Sequence, residues 1–182
     1  MSKSKSIKLS LLGFLIILPL IGNATQICQT ATIPATTPTT RFTDNGNGTV
    51  TDKKTGLMWK KCTEGQVGNN CSGNGLLYLS WQTALQQAQK ANAIGTIGGG
   101  FAGFSDWRVP NIKELDSIVE RQCYNPAINL AVFPNTSNDF FWSSSPVNDK
   151  NEQIWVISFE DGHNNYQWYG TWFSVRLVRG GQ

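Results

Sequence analysis

A Ser-Ser-Ser run at 143–145, a single histidine at 163 and adjacent acids at 160 and 161 are the residues of this chain best suited to nucleophilic or acid–base chemistry. A serine nucleophile needs a base within hydrogen-bond reach and a third group to orient that base. His163 sits in Asp161-Gly162-His163-Asn164-Asn165, a composition that predicts a solvated hairpin tip rather than the wall of a site. No Gly-x-Ser-x-Gly elbow surrounds the serines. Glu160 and Asp161, neighbours at a strand end, point to opposite faces and make a poor acid–base pair. A hydrolase using Ser144 or a neighbour with His163 is thus the weaker reading, and no residue is assigned a catalytic role.

Metal chemistry is equally poorly supported. Asp44-Asn45-Gly46-Asn47-Gly48 has the look of a calcium loop, but an EF-hand needs oxygen side chains at its third and fifth positions, where Gly46 and Gly48 stand. Asn-Gly is instead a strong hairpin signal. The cysteines Cys28, Cys62, Cys71 and Cys123 show no Cys-x-x-Cys spacing, and one histidine is too few for the usual zinc sites. No metal and no cofactor are expected.

Binding is the better-supported chemistry. Tyr166, Trp168, Tyr169, Trp172 and Phe173 lie within eight residues, with Trp155 nearby. Flat aromatic faces flanked by amides, here Asn164, Asn165 and Gln167, suit a sugar ring. Alternation along a strand directs about half of such rings inward to a core and leaves the rest for a surface. Arg176 and Arg179 could meet a sulfate or carboxylate; internal pairing with Glu160 or Asp161 is their competing role. Trp107 and Arg108 could likewise touch a ligand, although a part-buried Arg108 paired with Asp106, Glu114 or Asp116 is the favoured reading.

The N-terminus sets the compartment. Lys3, Lys5 and Lys8 precede an apolar run from Leu11 to Ile21, which ends at Gly22-Asn23-Ala24. That order predicts a secretory signal peptide over residues 1–24. The run is short for a membrane span, so an uncleaved anchor is the lesser alternative. Thr25-Gln26-Ile27 before Cys28 lacks the small residue expected beside a lipidated cysteine. The whole chain carries 15 Lys+Arg and 12 Asp+Glu; without the three lysines of the signal, 12 basic residues face 12 acids. A net charge of zero removes the general electrostatic case for nucleic acid. An even cysteine count in an exported protein predicts two disulfides. Of the three possible pairings, Cys62–Cys71 closes a short Gly/Asn-rich loop and is the expected one, leaving Cys28 with Cys123.

The elements that must position these residues follow from periodicity. Residues 25–40 read as a Thr/Pro-rich tail, and residues 41–182 as one domain. Arg41–Thr43, Thr49–Thr51 and Leu57–Trp59 form a small β-meander. Ser80 caps a first helix with its apolar stripe at Trp81, Ala84, Leu85 and Ala88. Asn111 with Glu114 starts a second, whose buried face is Ile112, Leu115, Ile118 and Val119. Strands are expected near Phe140–Ser145 and Ile154–Phe159, and Tyr166–Tyr169 is expected to pair with Phe173–Val178. The fold class is α+β, loop-rich, with short antiparallel strands and two helices.

Residues 41–182 resemble the family named for the C-terminal domain of the Legionella collagen-like adhesin. The resemblance rests on Phe42-Thr43-Asp44-Asn45-Gly46-Asn47-Gly48-Thr49-Val50-Thr51-Asp52 and Thr55-Gly56-Leu57-Met58-Trp59. It continues through Trp81 with Ala84 and Gly103-Phe104-Ser105-Asp106-Trp107-Arg108-Val109-Pro110-Asn111. It ends with Phe133-Pro134-Asn135-Thr136, Phe141-Trp142-Ser143-Ser144 and Val175-Arg176-Leu177-Val178-Arg179-Gly180-Gly181. It implies an adhesin-type domain associated with sulfated glycosaminoglycans; this chain has no collagen-like repeat and, after the signal, no net positive charge. The Trp-Ser-Ser and Arg-Leu-Val-Arg-Gly-Gly segments are also similar to C-type-lectin-like and formylglycine-generating-enzyme-like folds, which bears on architecture alone. No cysteine follows Cys123, as that enzyme requires, and the calcium-lectin motifs are missing. The expectation is an exported, periplasmic or surface binding module that recognises a glycan or glycosaminoglycan. Its candidate contacts are Trp155, Tyr166, Trp168, Tyr169, Trp172, Arg176 and Arg179. A structural partner role, including a homo-oligomer, is the alternative.

Overall fold

Gly46 and Gly48 adopt φ of +73° and +83°, and this lets Asn45–Gly48 reverse the chain. The turn joins β2 (Phe42–Asp44) to β3 (Thr49–Asp52), with Asp44 opposite Val50. In the computed structural model, residues 25–94, 99–149 and 152–180 are described; the expected signal peptide, residues 1–24, lies outside them. A short β1 (Ile27–Cys28) precedes the hairpin, and β4 (Met58–Lys60) follows it. The last strand, β9 (Val178–Arg179), closes a four-stranded antiparallel sheet in the order β2-β3-β4-β9. Val50 and Trp59 are cross-strand partners, and both are buried in one of two core clusters.

Helix α1 (Trp81–Ala93) starts at Ser80, whose hydroxyl accepts the Thr83 N–H. Its buried stripe is Ala84, Ala88 and Ala91; small residues let the helix sit close to Trp107, Trp142 and Val175 in the second cluster. Helix α2 (Ile112–Asp116) is only five residues long, so Ile118 and Val119, expected on its face, are buried just beyond it. Its start is a full capping box: Asn111 accepts from Glu114 N at 2.9 Å, and Glu114 accepts from Asn111 N at 2.8 Å. The same Glu114 carboxylate takes both terminal nitrogens of Arg108 at 2.7 Å. Trp107 is buried, with its indole N–H on Phe101 O, so Trp107 and Arg108 serve the fold. Asn111→Ala is expected to lower stability by about 1 kcal/mol, read as a shift in the denaturation midpoint.

The third layer is a sheet of β6 (Phe140–Pro146), β7 (Gln153–Ser158) and β8 (Asn164–Trp168), antiparallel and in chain order. The fold is therefore α+β. The expected strand over Phe173–Val178 is corrected: it does not pair with β8. Instead Phe173 bridges Leu79, Ser174 bridges Phe141, and Val178 bridges Arg108. Ser174 through Val178 are all buried, so this extended segment threads the interior and has no solvent face to alternate with.

The Thr/Pro-rich segment expected as a tail is stitched to the body. Strand β1 pairs with β5 (Cys123–Tyr124), with Cys28 opposite Cys123, and the two are disulfide-bonded. Thr36 and Thr37 each donate a backbone N–H and a hydroxyl to the buried Glu120 carboxylate. Composition reads such a segment as solvated; it cannot register that its hydroxyls and amides satisfy a buried charge. The second disulfide is Cys62–Cys71, as expected from spacing.

Candidate functional site

The aromatic residues singled out in the sequence are displayed by the β7–β8 hairpin and the turn after it. Alternation places Asn164, Tyr166 and Trp168 on one face of β8, with Gln153 and Trp155 beside them on β7. Tyr166 lies directly opposite Trp155, and the rings meet edge to face at 5.8 Å between centroids. Trp168 lies opposite Gln153. On the reverse face of the sheet, Ile154, Val156 and Trp142 enter the core with α1. That burial fixes the register and hence the exposed face.

The exposures order the candidates. Trp172 is 67% exposed and Trp168 56%, while Tyr169 and Tyr166 are near two-fifths. Trp155 is half-buried beneath Tyr166. Phe173, the remaining ring of the run, turns inward onto Phe140 and Trp142. Backbone bonds hold the turn: Tyr169 N–H donates to Glu152 O, Tyr169 O accepts the N–H of Trp81 at the start of α1, and Thr171 N–H returns to Trp168 O. The amides divide by strand face. Asn164 shares the side of Tyr166 and Trp168, whereas Asn165 and Gln167 point to the other. Gln153, which the sequence reading missed, takes their place; only the register of β7 against β8 reveals it.

The two arginines stand elsewhere. Arg176 is fully buried and is withdrawn as a ligand contact. Its guanidinium donates to the carbonyls of Lys60 and Lys61 and to the hydroxyls of Thr63 and Thr136, and it lies over Phe133 at 4.8 Å. Burial pushes its pKa down to about 9, and the nearby Glu64 carboxylate opposes that shift. It remains a cation at neutral pH. Arg179 bonds Asp106 at 2.7 Å and stacks over Phe104 at 3.9 Å. Neither arginine uses Glu160 or Asp161, the acids expected for internal pairing.

The serine and histidine candidates are not brought together. Ser143 donates to Trp155 O at 2.6 Å, and Ser145 accepts the Ile112 N–H at 3.0 Å. His163 bonds Asp161 at 3.0 Å on the exposed β7–β8 turn, next to Ser158. Trp155 and Ser158 are three strand residues apart, about 10 Å. The Asn-Gly run forms its hairpin, with Asp44 held by Gly46 N–H and Lys61. Among the described residues, no group of three metal-ligating side chains gathers, and no helix is long and apolar enough to cross a membrane.

The protein is a disulfide-bonded α+β domain with exposed aromatic side chains on β8 and the turn after it. Residues 48–179 match the model of the Lcl C-terminal domain, and the chain belongs to that adhesin-associated family. No curated protein matches the chain.

Proposed function

We propose that this protein is an exported binding module that recognises an uncharged glycan through the exposed strip formed by Tyr166, Trp168, Tyr169 and Trp172, with Trp155 beneath. The observation that carries the reading is the exposure of four large aromatic side chains between residues 166 and 172, on β8 and the turn after it, where burial would otherwise be the rule. Ring faces offer apolar surface to the C–H faces of a sugar, and the exposed Asn164 amide can bond its hydroxyls. The charge pattern selects among glycans. From residue 152 to 173 there is no Lys or Arg, while Glu152, Glu160 and Asp161 are present. With Arg176 buried and Arg179 paired to Asp106, the two arginines considered for a sulfated polymer are engaged elsewhere, which favours an uncharged ligand.

Trp168→Ala with Trp172→Ala tests the site, since both rings are mostly exposed and their loss spares the core. Affinity for a glycan bound by the wild type is expected to fall by about thirtyfold, the effect of losing a contact worth roughly 2 kcal/mol. Unchanged affinity in a folded double variant would rule the strip out. A structural role in an envelope assembly is the second reading. It is favoured by β8 standing at the edge of its sheet, where an unpaired strand can accept another chain. A concentration-dependent oligomer in light scattering would support it.

A further inference from the structure

Away from the aromatic strip, a cavity of about 470 Å³ opens between the β2–β3 turn, the end of β4, the Cys62–Cys71 loop and α1. That is a size typical of small-molecule sites. Its walls are apolar: Val67, Leu77, Ile94 and Phe101. Its charged groups are Lys60 and Glu64, and the amides of Asn47, Gln66, Asn69 and Gln87 complete the lining. The Glu64 side chain is 4% exposed and that of Lys60 12%, and the two are paired at 2.5 Å. Gln87 donates to the other Glu64 oxygen at 3.0 Å. One carboxylate oxygen is thus hydrogen-bonded to Gln87, and the other is held by the charge of Lys60 alone.

Lys60 is not saturated. An ammonium has three donors. One meets Glu64, and the Phe101 ring lies 4.2 Å from the nitrogen. No other acceptor among the described residues meets it. Arg176, fully buried, reaches the Lys60 and Lys61 carbonyls just behind the cavity wall. Lys61 is matched by Asp44 at 2.7 Å. Glu64 is thus the single carboxylate between two cations, Lys60 in the cavity wall and Arg176 buried behind it. A surplus positive charge in a low-dielectric site favours an anion strongly.

The walls are preformed. Val67, inside the loop closed by Cys62–Cys71, exchanges two backbone hydrogen bonds with Gly73 just beyond it. Gly65 has φ of +94°, and a Cβ there would fall 2.4 Å from Gly75 O, so the loop is folded tightly upon itself. Gly48 leaves room for Phe101, whose ring would stand 3.1 Å from an added Cβ.

We propose that this cavity is a second binding site, for a small organic monoanion whose carboxylate meets Lys60 and whose apolar body lies between Phe101, Leu77, Val67 and Ile94. It is separate from the glycan strip and does not depend on it. The test is NMR titration of the purified, oxidised protein with hexanoate, octanoate and phenylacetate, each beside the alcohol of the same skeleton. Carboxylates are expected to shift the resonances of Val67, Leu77 and Phe101 and to bind at least tenfold tighter than the alcohols. Lys60→Met is expected to abolish that difference. Because Lys60→Met strands the Glu64 charge, Leu77→Trp serves as the second variant: Leu77 is partly exposed, and the larger ring fills the cavity and should block every probe. Equal binding of acid and alcohol, shifts confined to other residues, or no binding at millimolar concentration would each overturn the proposal.

Discussion

Glu120→Ala is expected to destabilise the protein by about 3–5 kcal/mol. The carboxylate is 3% exposed and accepts the N–H and hydroxyl groups of both Thr36 and Thr37, and also the Gln122 N–H. Among the described residues, no cation pairs with it. Alanine would leave these donors unmatched at a buried seam and free the N-terminal segment from the body. Burial alone would raise the Glu120 pKa, but the hydrogen bonds from Thr36, Gln122 and Thr37 outweigh it and hold the group below the ordinary glutamate range. A carboxyl depressed on folding stabilises the protein above its unfolded pKa of about 4.3, and that contribution is lost as pH falls through the lower folded value. Denaturation midpoints measured from pH 7 to pH 3 should therefore drop more steeply in the wild type than in the variant. Parallel curves would contradict the assignment.

Replacing Cys28 and Cys123 together by serine is expected to cost about 4–5 kcal/mol. The bridge spans 95 residues, and the entropy it removes from the unfolded chain grows with the closed loop. The same change at Cys62 and Cys71, only 9 residues apart, should cost about 2–3 kcal/mol. Chemical denaturation of the two double variants measures the difference. The order of the two losses is the informative result: a larger loss at the short loop would mean that native contacts, rather than chain entropy, dominate.

Much of this architecture was legible in the residues. Ser80 and Asn111 stood out as helix caps because Ser and Asn compete for backbone N–H groups, and both do so here. Asn-Gly marked the hairpin, and cysteine spacing marked the bridges. What escaped was non-local. Nothing in Arg176 itself distinguishes a guanidinium fed by main-chain carbonyls 115 residues away from one facing solvent. Thr36 and Thr37 looked like linker because their partner, Glu120, lies 84 residues on. Alternation also misled at Phe173–Val178, where both faces of the segment are buried. The aromatic strip was visible as composition, but its face was not: only the pairing of β7 with β8 sets Trp168 beside Gln153 and turns Gln167 away. The cavity at Lys60 left no local signature, since its walls come from separated stretches of chain that run from Gly46 to Phe101.

The most direct test of the central claim is binding of the purified, oxidised protein to an array of neutral and sulfated glycans at two salt concentrations. Binding to a neutral sugar, insensitive to salt and lost in the Trp168→Ala, Trp172→Ala variant, is the expected result. Salt-sensitive binding to sulfated chains that survives in that variant would contradict it, placing the recognition surface on cations elsewhere in the fold.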